Sequence, residues 1–387
     1  MNRERFPGLA DGWARFDAPA GSQPVDSAIE AMAEFMASGA VANQGGAFEA
    51  GERTSVLVRE ARAAAGSFVG GHPDGVVLGP SMTSLTLSFS AAVGRTLSPG
   101  DEIVCTRLDH DGNVAPWLIA AERAGAVVRF ADPPDLDTLE LPGSAVEAVL
   151  SERTRWVAVT AASNAVGTVP ELDAIVTAAH SVGASVYVDA VHAAPHRKLD
   201  VAALNCDALV CSAYKWFGPH QSILWVRPEL LRGFQPDKLR PAPDSDPERW
   251  ETGTPPFEGL AGMIAAVRYM QEIGVEAIRA HEEPLFAAML DGLAAIEGVT
   301  LHGAARDRVP TLMFSVAGRT SLEVARALAG EQVAVWHGNY YAFELSTLLG
   351  LEPDGAVRAG VVHYNTDEDV QRLLGAVERV ASGAVRA

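Results

Sequence analysis

Residues 207–219 read DALVCSAYKWFGP, and the fold turns on how this stretch is read. The apolar run 208–212 has the length and the unbroken character of a strand covered on both faces. Three residues past it stands Lys215, flanked by Tyr214, Trp216 and Phe217. Lysine is usually exposed, so a lysine among aromatic residues at the end of a buried strand is unusual. Partial desolvation lowers an amine's pKa, which favours its use as a nucleophile and a base. The alternative is a lysine whose stem covers apolar surface while its ammonium stays in water.

Working outward, six more segments read as strands: Gly75–Leu78, Glu102–Thr106, Val127–Ala131, Trp156–Thr160, Ser185–Asp189 and Ile223–Val226, beside Ala208–Ser212 itself. Helical patterns lie between them. Met82, Leu85, Phe89, Ala92, Val93 and Thr96 share a helix face, and Leu172–Ser181 forms another helix that stops before Gly183. The alternation predicts an α/β fold with a mainly parallel sheet flanked by helices. Asp237–Pro256 is rich in Pro, Asp and Thr and reads as a long loop. A helix over Leu260–Ile273 follows, then a second α/β unit with a strand at Thr311–Val316 and a helix at Leu322–Ala329. The chain therefore divides into a large domain, 15–273, and a smaller C-terminal domain, 274–387 joined by 1–14.

The 387 residues carry a formal net charge of −19. A surface of that sign repels phosphate backbones, so no nucleic-acid partner is expected. The N-terminus lacks the apolar core of a signal peptide, and no apolar run is long enough to span a bilayer, so no membrane partner is expected either. Cys105, Cys206 and Cys211 show no paired spacing, which suits a reducing cytoplasm.

Ligands of parallel sheets bind beyond the carboxyl ends of the strands, and three features fall there. Asp189, in SVYVDAVHAAPH, closes an apolar strand and needs a partner for its charge. A protonated pyridine nitrogen is such a partner; a cap of the helical-looking AVHAA stretch is the alternative. Gly79-Pro80-Ser81-Met82-Thr83-Ser84 combines a helix start with small hydroxyls, which suits a phosphate, although a capped helix with Pro in its first turn reads the same way. Lys215 is the third. An anion cradle, an acid and a desolvated lysine, each at a strand end, are the parts that a pyridoxal 5′-phosphate site requires. Metals fit less well. Asp109, Asp111 and Asn113 mimic the start of a calcium loop, but its last ligand position is Ala120. His192 and His196 lack a third zinc ligand, and Pro195 interrupts the helix that would carry them. No metal is expected.

The stretches LDHDGNVAPW, ASNAVGTVPEL, VDAVHAAPH, CSAYKWFGP, ETGTPP and VRAGVVHYNT resemble the class V aminotransferase-like, fold-type I pyridoxal phosphate enzymes. The resemblance covers nearly the whole chain and is strongest to the cysteine desulfurase and selenocysteine lyase branch, especially its "cysteine desulfurase-like" members. It implies the PLP-dependent transferase fold, with a mainly parallel seven-stranded sheet in the large domain, and a homodimer with shared active sites. It implies that Lys215 holds the cofactor as a Schiff base and that Asp189 pairs with the pyridine nitrogen. It places His110 over the ring, His192 at the phenolic oxygen, and Asn164 near that oxygen and the substrate carboxylate. Ser81, the backbone of Met82, Ser212 and Tyr214 match the phosphate cradle, and Thr254 matches a threonine that reaches the neighbouring subunit's phosphate. Arg358 matches the arginine that grips the substrate carboxylate.

One part of the pattern is missing. Desulfurases of this branch carry a mobile cysteine, but the corresponding loop here is Val335-Trp336-His337-Gly338-Asn339-Tyr340-Tyr341-Ala342. A tyrosine cannot form a persulfide, and Trp336 replaces a second arginine of the family. The loop is expected to line a pocket for a larger side chain, with His337, Tyr340 and Tyr341 as substrate-binding residues. The function expected is a lyase that cleaves the C–S bond of a cysteine S-conjugate. An aminotransferase, a decarboxylating deaminase, a racemase, a true cysteine desulfurase and a non-catalytic binding protein of the same fold are the alternatives.

Overall fold

The computed structural model describes residues 3–39 and 43–383. The seven segments read as strands of the large domain are strands, and they form one sheet: β1 (Val76–Gly79), β2 (Glu102–Thr106), β3 (Val127–Ala131), β4 (Thr154–Thr160), β5 (Ser185–Asp189), β6 (Ala208–Ser212) and β7 (Ser222–Val226). Their spatial order is β1-β7-β6-β5-β4-β2-β3. Neighbours are parallel except at β7, which is antiparallel to both β6 and β1. The exception follows from chain length. Residues 213–221 alone join β6 to β7 and contain no crossover helix, so the chain can only turn back. The central strands β2, β6 and β7 are buried along their whole length, whereas the edge strand β3 alternates exposed and covered residues.

Helix Met82–Gly94 buries Met82, Leu85, Phe89, Ala92 and Val93 against this sheet. Thr96, expected on the same face, lies past the end of the helix and is exposed. Phe89 centres an aromatic cluster, with its ring 5.4–6.4 Å from those of Trp117, Trp156, Tyr187, Phe234 and Trp250. Tyr187 also shares a buried hydrogen bond of 2.7 Å with the Thr86 hydroxyl. Trp250 belongs to the segment read as a long loop, so that loop is pinned. A short turn of 3-10 helix, Glu248–Trp250, drives the indole into the cluster, while Arg249 donates to Asp246 at 2.6 Å and to the Leu231 carbonyl at 3.1 Å.

A second sheet is antiparallel throughout: β8 (Val299–His302), β9 (Thr311–Val316), β10 (Trp336–Gly338) and β11 (Ala356–Gly360), in the order β10-β11-β9-β8. Helices Val275–Ala295, Ser321–Gly330 and Asp367–Ala381 pack on one face, and Ala14 and Phe16 join their apolar core. Successive strand residues face opposite ways. Val357 and Ala359 of β11 enter that core, whereas Ala356, and Met313 of β9, which pairs with Arg358, pack into the core of the large sheet. Arg358, with the parity of Ala356, is thereby aimed toward the ends of β4–β6.

Replacing Phe89 with Ala removes the centre of five ring contacts at a fully buried position. It is expected to cost about 3–5 kcal/mol, read as a loss of stability of the purified protein in urea denaturation followed by tryptophan fluorescence.

Candidate active site

The carboxyl ends of β1, β2, β4, β5 and β6 open at the same edge of the sheet, and the predicted functional residues gather there. Lys215 follows β6 in the short return to β7. Its side chain is only 7% exposed, and its Nζ donates to the Pro19 carbonyl. Burial, then the nearby Arg358 charge, lowers its pKa to about 7 against the opposing pull of Asp189. At neutral pH much of this amine is therefore uncharged.

Asp189 ends β5. Its Oδ1 accepts from the Val191 N–H at 2.9 Å. Burial raises its pKa to about 6, against the opposing pull of that N–H and of Lys215. The stretch after it, read as helical, is a run of turns over 191–196. Those turns bring His192 back beside the site, where its Nε2 lies 2.9 Å from the Thr311 hydroxyl at the start of β9. Burial, then the charge of Lys215, holds His192 well below the usual histidine range. His196 is held separately, its Nδ1 2.8 Å from the buried Glu282 carboxylate. Among the described residues no three potential metal ligands come together.

His110 lies in the loop after β2. Its Nδ1 accepts from the Gly112 N–H at 2.9 Å, which places the ring proton on Nε2. Burial, then Lys215 and Arg358, lowers its pKa to about 3, so the ring stays neutral and apolar-faced. One neighbour of that ring is Tyr341, with centroids 5.3 Å apart.

The far wall comes from the second sheet. Arg358 is buried, donates through Nη1 to the Asn164 carbonyl at 2.8 Å and lies 4.5 Å above the Tyr340 ring. Burial lowers its pKa to about 10. Asn164 in turn donates through Nδ2 to the Tyr340 carbonyl at 3.0 Å. The other buried polar atoms of this pair, Asn164 Oδ1 and Arg358 Nε, have no partner in the protein.

An anion cradle lies at the starts and ends of β1, β6 and β7. Ser81 caps helix Met82–Gly94, its Oγ accepting from the Ser84 N–H at 3.1 Å. Ser212 and Ser222 sit opposite each other in register, hydroxyls 2.7 Å apart. Gln221 donates to the Gly79 carbonyl at 2.9 Å and leaves its buried Oε1 unpartnered. Tyr214 contributes its ring more than its hydroxyl: it stacks on His220 at 5.1 Å and packs against Gly21.

Three predicted residues lie elsewhere or act differently. His337 pairs with Val357 in register, on the opposite face of β10 from the site, while Trp336 pairs with Arg358 and shares its face. Tyr340 spends its hydroxyl on the Ala356 carbonyl at 2.5 Å, so it offers a ring and a carbonyl and no free phenol. Thr254 is exposed in its loop; the loop is pinned by Glu251, which accepts from Arg62 at 2.7 Å and from the Leu78 N–H at 2.9 Å. Residues that the sequence reading missed are Pro19, Thr311, Gln221 and Asp17, a buried carboxyl pushed up by desolvation. Phe16-Asp17-Ala18-Pro19 runs alongside β11, where Gly360 donates to the Phe16 carbonyl and has no room for a Cβ against Pro19.

These donors fit pyridoxal 5′-phosphate. An acid is available for a pyridine nitrogen, a flat neutral imidazole for a ring face, hydroxyls and a helix start for a phosphate, and a desolvated amine for an aldehyde carbon. The unpartnered Asn164 Oδ1, Gln221 Oε1 and Arg358 Nε are the kind of buried atoms that a bound group would satisfy.

Comparison with known proteins agrees. The Aminotransferase class-V family profile matches residues 15–373. A "Probable cysteine desulfurase" of Mycolicibacterium paratuberculosis is 34% identical over 95% of the chain, which spans only 55% of that relative's length. An uncharacterised protein of Mycobacterium tuberculosis is 33% identical, with 97% of each chain covered. The apo cysteine desulfurase of Thermococcus onnurineus superposes with a TM-score of 0.92 at 28% identity, covering 98% of this chain and 97% of that one.

The Lys215 environment has a kinetic consequence. An amine attacks an aldehyde only when neutral, so the rate at which the apoprotein takes up pyridoxal phosphate is expected to rise with pH through a midpoint near 7, the value to which burial lowers this amine, whereas an exposed lysine would give about 10. Asp189→Asn removes the carboxylate that raises the lysine's pKa and is expected to move the midpoint down. Stopped-flow absorbance of cofactor uptake between pH 5.5 and 9 measures both.

Proposed function

Because the chain belongs to the aminotransferase class-V family and its cofactor is pyridoxal 5′-phosphate, we propose that it is a C–S β-lyase acting on S-substituted cysteines. The observation that carries this reading is the state of its cysteines. Cys105, Cys206 and Cys211 are all buried. Burial pushes each thiol upward, Cys206 to about 12 and the other two further from the reactive range. None belongs to the loop 335–342, which presents Tyr340 and Tyr341 instead. A chain without an accessible thiolate there has nothing to take a sulfur atom, but it can still release one with its substituent attached.

In this reading Arg358 and Asn164 hold the substrate's α-carboxylate, a fork-to-carboxylate pairing. Pyridoxal phosphate, bound through Lys215, supplies the electron sink that acidifies the α-carbon. Ser81, the Met82 N–H, Ser212 and Tyr214 would hold its phosphate, His110 would lie over its ring and His192 at its phenolic oxygen, and Asp189, ionised above about pH 6, would hold the proton on its nitrogen. The neutral Lys215 amine takes the α-proton. The C–S bond then breaks, the electron pair leaving with sulfur, and Tyr341, the exposed member of the tyrosine pair, protonates the departing thiolate. Water completes the balance: one S-substituted cysteine and one water give one thiol, one pyruvate and one ammonium ion. No oxidant or sulfur acceptor is needed.

The same reading assigns Thr254 to the partner subunit of a homodimer with shared sites, which its exposure on a pinned loop supports. It takes 15–273 as the cofactor-binding domain and 274–387 with 1–14 as the smaller one. It also places the enzyme in the cytoplasm: the three cysteines are unpaired, and among the described residues no helix is long and apolar enough to cross a membrane.

The test is a panel of cysteine S-conjugates incubated with the holoenzyme. Equimolar pyruvate and free thiol are expected, with at least a thousandfold loss of rate in Lys215→Ala. L-cysteine is expected to leave no persulfide on the protein, as read by mass spectrometry. Conversion of the cofactor to pyridoxamine phosphate would assign the chain to the aminotransferases, and release of carbon dioxide to the decarboxylating deaminases.

A further inference from the structure

We propose that Tyr340 is a positioning residue that fixes the guanidinium of Arg358 for the substrate carboxylate. The inference rests on the reading of Arg358 given above. It starts from a closed circuit of contacts. The Tyr340 hydroxyl donates to the Ala356 carbonyl at 2.5 Å, two residues before Arg358 on β11. The ring lies under the guanidinium, 4.5 Å from its carbon, within the range of a cation–π contact. The Tyr340 carbonyl accepts from Asn164 Nδ2 at 3.0 Å, and the Asn164 carbonyl accepts from Arg358 Nη1 at 2.8 Å. Arg358 is held through one nitrogen and one face, and Nε, buried and unpartnered, is left for a ligand. A guanidinium needs its remaining edge open and its plane fixed to grip a carboxylate with two parallel bonds.

The backbone of the loop points the same way. Tyr340 and Tyr341 have φ of 52° and 60°, the left-handed region that costs a bulky residue energy unless its surroundings impose it. The surroundings do. The Asp111 N–H donates to the Tyr341 carbonyl at 2.6 Å. The Tyr341 N–H donates to Asn339 Oδ1 at 3.1 Å, and Asn339 Nδ2 donates to Glu352 at 2.9 Å. Two strained residues held from both sides make a wall, and Tyr340 is the part of it that touches Arg358. Its hydroxyl is committed to Ala356 and desolvated, which pushes the phenol up, so its contribution is placement and not proton transfer.

The test compares two ligands with the same side chain: L-methionine, and 3-(methylthio)propylamine, which lacks the carboxylate. Neither has a β-leaving group. Binding to the holoenzyme is read as the Kd from the change in cofactor absorbance. Arg358→Lys is expected to weaken L-methionine about a hundredfold and leave the amine within twofold. Tyr340→Leu is expected to weaken L-methionine about tenfold with the amine again unchanged. Tyr340→Phe keeps the ring and loses only the tether to Ala356; a loss of about threefold, confined to L-methionine, is expected, and this variant serves if Tyr340→Leu does not fold. A double variant carrying Arg358→Lys and Tyr340→Leu is expected to bind no worse than Arg358→Lys alone. Equal weakening of both ligands by the Tyr340 variants would reduce the residue to packing and overturn the proposal. So would unchanged binding of L-methionine in those variants while Arg358→Lys weakens it; either result leaves the assignment of Arg358 standing. An acid-to-amine preference that survives Arg358→Lys would instead remove that assignment, and the role of Tyr340 with it.

Discussion

Residues 213–221 are all that joins β6 to the antiparallel β7, and the site depends on that short return. A longer connection would have allowed a crossover and a parallel strand. The return instead folds Tyr214 and Lys215 back over the sheet's carboxyl edge and leaves the lysine stem no route to solvent. Trp216 and Phe217 close it from below as fully buried side chains. The Lys215 amine is thus desolvated by the covalent path of the chain, before any ligand is considered.

The remaining charges answer that one. A buried ammonium is costly, and the pocket offers it no full counter-ion: the Pro19 carbonyl accepts from it, while Asp189 acts only through space. Arg358, always charged, faces the same volume and pushes the amine toward neutrality. His110 and His192 are themselves held neutral by burial and by the lysine's charge. The result is one fixed cation, one acid that ionises near pH 6 and one amine that loses its proton near pH 7. Such a pair, one ionising below neutrality and the other near it, is what a base and an electron-withdrawing partner need when they work together. The second sheet is what brings the fixed cation in, because β11 alternates and sends Arg358 away from its own core.

The large sheet was legible because its central strands are buried on both faces, so short, β-branched apolar stretches mark the segments at 102–106, 185–189 and 208–212. Asp189 and Lys215 were legible as strand-end residues for the same reason. Local pattern failed where tertiary contact overrides it. AVHAA has the composition of a helix, but Asp189 caps Val191 and His192 is drawn to Thr311, so the chain turns instead. His337 reads as substrate-binding from its place in an aromatic loop, whereas register with β11 decides the face and puts Trp336 on the side of Arg358. The circuit of Arg358, Asn164 and Tyr340 was not legible at all. Asn164 is far along the chain from the other two, and backbone carbonyls supply all three hydrogen-bond acceptors, which no residue type announces.

The loop at 335–342 carries no cysteine. A mobile nucleophile needs a flexible segment and an exposed, low-pKa thiol. Here the segment is anchored to the loop after β2, to Asn164 and to Glu352, and two tyrosines occupy left-handed positions where a flexible loop would use glycine. An anchored loop of this kind suits a covalent shuttle poorly. What the anchored loop offers instead is surface: Tyr341, 70% exposed beside the His110 ring, and Trp336 on the face of Arg358. On the function proposed above, in which Arg358 grips the substrate's carboxylate at the far wall, wide apolar surface at the mouth suits substrates whose bulk lies beyond the β-carbon, which is where the substituent of an S-conjugate lies.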